Sequence, residues 1–470
     1  MLLYALFGWF AELVAVFFVL RYMIKQRKKK LRTETSNESQ ATPSFGFLHP
    51  HSLSGGGGER VLWCAVIATR KVFPDSPLVI YSAWADAGVK LEEAVDRSRL
   101  KVREQFGLDL ADVSFVPVDI KCAHLIDPSQ YPRLTLLLQA LGACFMGFHA
   151  FWEQPVDVFV DTANLTFSLV TPKAFGAQTV SYVHYPTVST DMLTVVRTRR
   201  ARFNNSSAIA RSAGLSFAKL MYYHAFAHLY AFAALCCDIP MANSSWTRNH
   251  LNSVWWKRTS VETVFPPCPT FCEEATVAFP RNESLIVSVG QFRPEKNHAL
   301  QLDMMEKLAE HDHLKATLLM IGGVRNASDA ARAETLRKQA EERGLAVKVA
   351  VNISREALRT ALRRASVGVH TMRDEHFGIS VVELQAYGLI TVGHRSGGVE
   401  LDIIDDGVTG LLAGDTAEEY AEKVNHALRG MSKEKREAMR EAGMESARRF
   451  SEEAFQEKFG SVLVKRIASH

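Results

Sequence analysis

The stretch Glu375-His-Phe-Gly-Ile-Ser-Val-Val-Glu383 carries two carboxylates eight positions apart, shortly after a strand-like run at Val367–Val369. Gly378 predicts a turn, and the residues from Ile379 onward have the apolar spacing of a helix. Glu375 would then lie in the loop between strand and helix, where ligands bind in open α/β sheets. The helix N-terminus would offer N–H groups to a phosphate. The segment predicts a parallel α/β sheet with a binding site, although two solvated glutamates would show the same spacing.

Strand-like and helical segments alternate along the rest of the chain, which is the pattern of consecutive βαβ units. Predicted strands lie at Leu78–Ala83, Val113–Ile120, Val156–Asp161, Val180–His184, Leu285–Val289, Ala316–Ile321 and Val347–Val351. A single core seldom exceeds about 250–300 residues, so 470 residues predict at least two domains. Three prolines at Pro266–Pro269 indicate the boundary. We expect Rossmann-like domains at residues 44–268 and 269–470.

Residues 1–32 have the composition of a membrane anchor with a basic flank. Leu2–Leu20 is apolar except for Glu12, and it is about as long as the ~20 residues that cross a bilayer. Only after this run do basic residues occur, at Lys25, Arg27, Lys28, Lys29, Lys30 and Arg32. By the positive-inside rule the chain would cross once, with its main body in the cytosol. Glu12 would be protonated, near the interface or paired. A polar linker at 33–43 would follow.

A second apolar stretch, Leu215–Cys237, is preceded by four arginines and interrupted by Lys219, His224 and His228. Two structures explain this pattern equally well. One is a helix buried in the first domain, and the other is a membrane-associating helix near 213–237 that lies in the bilayer interface. A second full span is disfavoured, because three polar side chains would have to enter the lipid.

Cations suited to a diphosphate occur after a predicted strand, in Gly290-Gln-Phe-Arg-Pro-Glu-Lys-Asn297. Arg293 would bind oxygens in a bidentate manner and Lys296 would act as a point charge, although surface cations in loops are common. Asp-x-Asp pairs beside a strand and His/Cys clusters with zinc spacing are both absent from the sequence. We therefore expect no metal and no other cofactor, with Arg and Lys neutralising the diphosphate.

Two features of the first domain indicate a cleft on that side as well. The run Gly55–Gly58 would allow a ligand close to the backbone at a helix start, as a flexible turn also would. His184 ends a predicted strand, so it would face the cleft, although a lone histidine is more often a core residue. The net charge of +4, without a basic face of interleaved aromatics, argues against nucleic-acid binding.

These motifs together resemble the family-four retaining glycosyltransferases, which have the GT-B fold of two Rossmann-like domains facing a cleft. The resemblance covers nearly everything after residue 43, and Glu375 and Glu383 match the spacing of that family's glutamate pair. Four longer motifs resemble one branch of it, the α-1,2-mannosyltransferases of asparagine-linked glycosylation. They are His49-Pro-His-Ser-Leu-Ser-Gly-Gly-Gly-Gly-Glu-Arg-Val-Leu-Trp-Cys64, Tyr182-Val-His-Tyr-Pro186, Gly290-Gln-Phe-Arg-Pro-Glu-Lys-Asn-His298 and His370-Thr-Met-Arg-Asp-Glu-His-Phe-Gly378.

The resemblance implies an activity. Mannose would pass from GDP-mannose to a dolichol-diphosphate-linked oligosaccharide, as its fourth and fifth mannoses, on the cytosolic face of the endoplasmic reticulum. The configuration would be retained, with the leaving diphosphate taking the acceptor proton in place of a classical base. Membrane lipid and other transferases of the same pathway would be further partners. Two alternatives stay open: a lipid-linked transferase with another donor or acceptor, and a catalytically silent membrane scaffold.

The resemblance also implies roles for individual residues. Glu375 would contact the mannose hydroxyls of the donor, and Glu383 would hold its ribose. His184 would line the sugar subsite from the first domain, and it would form the catalytic set with Glu375 and Lys296. Glycines would allow close approach around the donor phosphates; these are Gly57, Gly58, Gly378, Gly397 and Gly398.

The cations match that family less directly. It usually has arginine directly after the glycine corresponding to Gly290, and this chain has Gln291 there. The resemblance implies that Lys296, with help from Arg293, binds the diphosphate. Arg293 would point in the same direction as residue 291 if the segment stays extended, because side chains alternate along a strand.

Overall fold

The computed structural model describes residues 12, 15–29, 42–188, 213–256, 260–270, 280–310 and 315–467. Two parallel sheets with helices between their strands organise these residues. The predicted α/β class with two Rossmann-like sheets is confirmed.

Seven parallel strands form the first sheet, in the order β3-β2-β1-β4-β5-β6-β7. They are β1 (Phe45–Leu48), β2 (Leu78–Ser82), β3 (Val116–Asp119), β4 (Val158–Asp161), β5 (Gln178–Val183), β6 (Ile239–Ala242) and β7 (Glu262–Thr263). Strands β1, β2, β4 and β6 are buried along their whole length, as expected for a parallel sheet covered on both faces. The strand order reverses between β1 and β4, and ligands bind beside such a switch point.

The helices of this first part are α1 (15–29), α2 (Gly57–Val72), α3 (Ala94–Phe106), α4 (Thr135–Glu153), α5 (Val170–Ala174), α6 (Ala213–Ala234) and α7 (Ser245–Val254). Trp63 of α2 and Phe106 of α3 belong to one core cluster. Met146 and Phe151 of α4 belong to another, on the opposite face of the sheet. The sheet thus separates two apolar layers, as right-handed crossovers on either side of the switch point require.

Six parallel strands form the second sheet, in the order β10-β9-β8-β11-β12-β13. They are β8 (Asn282–Val289), β9 (Thr317–Gly322), β10 (Val347–Val351), β11 (Ala365–Val369), β12 (Ile390–His394) and β13 (Leu411–Ala413). The helices are α8 (His298–Ala309), α9 (Ala327–Glu342), α10 (Arg355–Arg364), α11 (Ile379–Ala386), α12 (Ala417–Asn425), α13 (Lys433–Arg448) and α14 (Glu452–Ile467). The order reverses between β8 and β11, so the loops after these two strands meet at one carboxyl edge.

The last helix, α14, returns to the first domain. Phe455 and Phe459 of α14 are buried in the core cluster that also contains Val61 of α2. At the start of α14, Glu452 forms an ion pair with the buried side chain of Arg60 in α2. A packed apolar contact therefore joins the two domains in addition to the chain connection between them.

The predicted anchor, Leu2–Leu20, lies largely outside the described residues. The described part of helix α1 starts within that segment and packs on the first domain, where the ring of Phe17 stacks on that of Phe175 at 5.5 Å. Ile24 is buried, and Lys28 forms an ion pair with Asp157 at 2.6 Å. Among the described residues, one helix is long and apolar enough to cross a membrane: α4, which is partly buried in the domain.

Helix α6 has two apolar faces with different environments. Tyr223, Phe226 and Tyr230 are buried against the domain. On the other side, Phe217 and Phe232 expose 65% and 59% of their surface. The helix is therefore neither wholly enclosed by the described protein nor free of it, and its outer face is apolar and uncovered.

Candidate functional site

A cavity of about 640 Å³ lies between the two domains, at the carboxyl edges of both sheets. Seven of the expected site residues line it: Gly57, Gly58, His184, Lys296, Glu375, Gly378 and Glu383. Gly290 and Gln291, from the motif that contains Lys296, line it as well. The remaining expected positions, Arg293, Gly397 and Gly398, are outside this wall. The cavity thus brings together groups that lie more than three hundred residues apart in the chain.

Glu375 lies in the loop after β11 and is held by two polar groups. Lys296 Nζ forms an ion pair with Glu375 Oε2, and His370 Nε2 lies 3.1 Å from the same oxygen. Burial would raise the pKa of Glu375, but the Lys296 charge and the His370 hydrogen bond outweigh it and hold the pKa well below 4.5. Burial also lowers the pKa of His370, so this ring is neutral and donates a hydrogen bond from Nε2 to an ionised carboxylate.

The Glu375 loop is fixed from behind by the segment after β12. The N–H of Asp374 donates to Ser396 Oγ at 2.7 Å, and the N–H of Gly398 donates to the carbonyl oxygen of Glu375 at 2.8 Å. Gly397 has φ +68°, and a Cβ there would collide with that carbonyl oxygen. Gly397 and Gly398 therefore support the loop through its backbone, where the resemblance implied that they lie near the donor diphosphate.

A chain of hydrogen bonds continues behind Ser396. His394 Nδ1 lies 2.8 Å from Ser396 Oγ, and His394 Nε2 lies 3.0 Å from Asp415 Oδ1. Since Ser396 Oγ already accepts the Asp374 N–H, its hydroxyl proton is available for His394 Nδ1. His394 then donates from Nε2 to the carboxylate of Asp415. This chain orders the loop that presents the buried glutamate, and nothing in the sequence pattern indicated it.

Glu383 lies in α11 and faces the cavity with its carboxylate. Burial raises its pKa, and the guanidinium groups of Arg60, Arg355 and Arg359 offset only part of that effect. No described residue donates a hydrogen bond to its carboxylate. The residue before α11, Gly378, has φ +115°, which a residue with a Cβ rarely adopts. The turn predicted at Gly378 thus exists, and Glu383 offers free acceptor atoms to hydroxyl groups of a ligand.

The loop after β8 supplies one cation to the cavity. Lys296 lies in the cavity wall, together with Gly290 and Gln291. Arg293 lies outside this wall, and its guanidinium is 3.9 Å from the carboxylate of Glu295. In the described structure, Gln291 rather than Arg293 faces the cavity at this edge. A role for Arg293 in binding phosphate remains a prediction that requires its side chain to turn.

The first domain contributes the glycine-rich start of α2. A Cβ on Gly57 would lie 2.8 Å from the Ile379 side chain of the second domain, so the two domains approach closely there. A Cβ on Gly58 would lie 3.7 Å from the ring of His49 and 3.9 Å from that of His184. The first turn of α2 therefore directs free N–H groups toward the cavity without a side chain in between.

His184 follows β5 and has a defined tautomer. Its Nε2 is 3.0 Å from the carbonyl oxygen of Thr162, which can only accept, so Nε2 carries the proton. Burial lowers the pKa of His184 to about 4, so the ring is neutral at physiological pH. Nδ1 is then an unprotonated acceptor. The neutral ring can orient a sugar hydroxyl, but it is too weakly basic to act as an efficient general base.

Four residues in or beside the cavity wall were assigned no role from the sequence. Tyr185 and Trp246 of the first domain have their rings 5.4 and 5.1 Å from that of His376 in the second. Asn243, after β6, is buried in the cavity wall. Tyr185 and His376 directly follow His184 and Glu375 in the chain, so adjacency to a site residue could have indicated them. Trp246 and Asn243 become neighbours of the site only through the sheet order.

The collision at Gly397 generates a prediction. Gly397→Ala should lower the free energy of unfolding by roughly 1–3 kcal/mol more than Gly407→Ala does, because it adds overpacking to the cost of positive φ. Gly407 is the matched control, since it also has positive φ (+83°) but nothing within 4 Å of a Cβ. Denaturant unfolding of both purified variants measures the difference. Equal destabilisation would show that the Glu375 loop does not depend on this contact.

Comparisons with known proteins agree with this arrangement. Residues 42–255 match the family described as ALG11 mannosyltransferase N-terminus, and residues 273–446 match the family described as Glycosyl transferases group 1. The chain is 39% identical over 471 residues to the human GDP-Man:Man(3)GlcNAc(2)-PP-Dol alpha-1,2-mannosyltransferase, covering 96% of this chain and 92% of that protein. The Caenorhabditis elegans protein of the same name is 37% identical over 90% of this chain and 91% of its own length.

Solved structures that resemble the chain are more distant in sequence. Sucrose-phosphate synthase from Thermosynechococcus elongatus has a TM-score of 0.64 at 16% identity, over 91% of this chain and 100% of that chain. A glycosyltransferase from Rickettsia africae has a TM-score of 0.62 at 14% identity, over 92% of this chain and 100% of that chain. These likenesses establish the GT-B fold alone. The close relatives extend over nearly the whole sequence, and the chain therefore belongs to the ALG11 mannosyltransferase family.

Proposed function

We propose that this chain transfers mannose from GDP-mannose to a dolichol-diphosphate-linked oligosaccharide through α-1,2 linkages, as its fourth and fifth mannoses. The observation that carries the proposal is the Lys296–Glu375 pair at the carboxyl edge of the second sheet, with the unpaired Glu383 nearby. The relatives named for this reaction support the identity of donor and acceptor. A diphosphate, a ribose and a hexose require a cation, a carboxylate and hydroxyl acceptors, and the cavity supplies all three.

When the donor binds, Lys296 exchanges its partner Glu375 for the diphosphate. In this structure Lys296 is paired with Glu375. A diphosphate carries more negative charge than one carboxylate, so Lys296 turns toward it when GDP-mannose binds. Glu375 keeps its hydrogen bond from His370 and accepts hydroxyl groups of the mannose. Glu383 accepts the ribose hydroxyls, which gives hydrogen-bond partners to a partly buried carboxylate that receives none from the described residues.

The electrostatics favour retention of configuration without a general base. Inversion requires a base in line behind the anomeric carbon. His184 is a weak base because its pKa is about 4, and Glu375 is ionised at a pKa well below 4.5. The leaving diphosphate is a stronger proton acceptor than His184 or Glu375. It lies on the face of the sugar from which it departs, and there it can take the proton of the acceptor hydroxyl. The neutral His184 and the dipoles at the start of α2 then stabilise the charge that develops on the sugar and the phosphate.

A transfer assay tests the function. Full-length protein in detergent is incubated with GDP-mannose, chelator and a trimannosyl lipid-linked acceptor, and the acceptor mass is followed. We expect a gain of two mannoses that α-1,2-mannosidase removes. Glu375→Gln should lower kcat/KM by roughly 100-fold or more, because it removes a charge that the site holds ionised.

Glu341→Gln, on the surface of α9, is the matched control and should transfer at the wild-type rate. Inverted product, or transfer from a different sugar nucleotide only, would contradict the proposed reaction. Failure to bind any sugar nucleotide would favour the alternative of a silent scaffold.

The pH dependence follows from the shifted groups. His184 stays neutral above its pKa of about 4, and Glu375 stays ionised because its pKa lies well below 4.5. We therefore expect neither group to produce a transition in kcat/KM between pH 5.5 and 8. Rates measured over that range for wild type and His184→Asn test this. A transition near pH 6.5 that His184→Asn abolishes would show that His184 titrates normally and acts in its basic form.

We also propose that the first domain rests on the cytosolic surface of the endoplasmic reticulum membrane, with a single N-terminal span. Helices α4 and α6 are neighbours, since the N–H of Leu137 donates to Tyr222 Oη at 3.1 Å. Both expose apolar side chains, among them Phe145 at 51% and Phe217 at 65%. Neither helix carries a carboxylate except at Glu153, the last residue of α4. An uncovered apolar face without acidic groups suits a bilayer interface.

Removing the apolar face of α6 tests this placement. The triple variant Phe217→Ser, Met221→Ser and Phe232→Ser should lower transfer to dolichol-linked acceptor in vesicles by roughly tenfold or more, because it removes the three most exposed apolar side chains of α6 from the face that would enter the lipid. Transfer to a water-soluble acceptor should be unchanged. Leu100→Ser, equally exposed on α3 beyond the other face of the sheet, is the control. Equal losses on both acceptors would refute the membrane role of α6.

A further inference from the structure

We propose that Tyr185 and Asn243 form the subsite for the mannose ring of the acceptor, the sugar that receives the transferred mannose. This inference rests on the proposed mannosyl transfer and assigns a place in the cavity to its second substrate. Tyr185 would supply an aromatic face for the sugar ring, and the Asn243 amide would bind one of its hydroxyls.

Tyr185 is the outer ring of an aromatic stack that crosses the domain interface. Its ring lies 5.4 Å from that of His376 with an angle of 25° between the planes. His376 in turn packs against Trp246, which packs against His250 at 3.9 Å. The inner members His376 and Trp246 are largely enclosed, whereas Tyr185 exposes 49% of its surface in the cavity wall. The stack therefore holds Tyr185 in place from one side and leaves much of the ring accessible.

The neutral state of His376 allows this stack. Burial lowers the pKa of His376, so the ring carries no charge at physiological pH. A neutral imidazole packs against aromatic rings without the desolvation cost of a buried cation. This wall of the cavity therefore contributes hydrogen bonds and no charge from the stack, and the sheet places the Asn243 amide in that wall.

Asn243 is buried, and the oxygen of its side-chain amide accepts no hydrogen bond from the described residues. It follows β6, next to the end of β5 that carries Tyr185, and only 6% of its surface is exposed. Its Oδ1 has no hydrogen-bond partner among the described residues, although the side chain lies in the cavity wall. An unsatisfied buried amide oxygen is costly unless a ligand supplies the donor. A sugar hydroxyl meets that requirement, because it donates one proton and carries no charge.

The distribution of charge across the cavity separates the two substrates. The second domain contributes the charged groups Lys296, Glu375 and Glu383, which suit the diphosphate, hexose and ribose of a nucleotide sugar. The first domain contributes neutral groups: the start of α2 and His184, which are already assigned to the donor, and Tyr185 and Asn243, which suit a sugar without phosphate. The neutral wall therefore takes the acceptor.

Steady-state kinetics with varied acceptor at saturating GDP-mannose, and the reverse, test the assignment. Tyr185→Ala should raise the acceptor KM roughly tenfold, with the KM for GDP-mannose changed by less than about twofold. Tyr185→Phe should recover most of this loss, because it keeps the ring face. Asn243→Ala should also raise the acceptor KM roughly tenfold, since it removes the hydrogen bond to the sugar. Tyr185→Leu, which keeps the bulk, replaces Tyr185→Ala if that variant fails to fold.

A second measurement does not depend on transfer. Saturation-transfer NMR of a water-soluble oligomannoside with GDP-loaded full-length protein should detect binding, and Tyr185→Ala should weaken that binding roughly tenfold. If Tyr185→Ala raises both KM values equally, the stack holds the two domains together and does not bind the acceptor. If it raises the KM for GDP-mannose alone, Tyr185 belongs to the donor subsite. Either result, or unchanged kinetics and NMR binding, overturns the proposal. Oligomannoside binding without any transfer would contradict the proposed function alone.

Discussion

The arrangement of the cavity depends on one partly buried ion pair, between Lys296 and Glu375. A carboxylate with little exposure to water is costly to ionise, and here the ammonium group and His370 more than repay that cost. The two partners follow different strands, β8 and β11, which become neighbours only because the strand order of the second sheet reverses between them. The pair therefore requires the complete doubly wound sheet, and it places the charges of the site at the switch point.

Support for the pair comes from backbone contacts as much as from side chains. The Asp374 N–H bonds to Ser396 Oγ, and the Glu375 carbonyl accepts the Gly398 N–H. Such close contact is possible because Gly397 and Gly398 have no side chains. On the facing domain, Gly57 and Gly58 serve a comparable purpose by keeping the start of α2 open. Glycine thus allows close contact on both sides of the cleft: with the Glu375 loop at Gly397 and Gly398, and with the Ile379 side chain of the facing domain at Gly57.

Several parts of this structure could be predicted from the sequence because they depend on local patterns. Apolar runs bounded by turn residues predict β8 and β9 to within a few residues, and the spacing of Glu375 and Glu383 indicated the loop and helix that carry them. Other parts depend on tertiary neighbours. The support role of Gly397, the position of Arg293 outside the cavity wall and the orphaned oxygen of Asn243 all follow from which strands and loops lie side by side. The exposed apolar face of α6 likewise required knowledge of what packs against its other face.

The exchange of partners at Lys296 is the central claim, and a structure of the full-length protein with GDP-mannose, or with a non-transferable analogue, tests it most directly. The distance to measure is the one from Lys296 Nζ to the nearest diphosphate oxygen, compared with its distance to Glu375 Oε2. We expect Lys296 to contact the diphosphate, with Glu375 on the mannose hydroxyls and Glu383 on the ribose. A nucleotide bound elsewhere, or a Lys296 that stays paired with Glu375 while the diphosphate lies beyond its reach, would contradict the account.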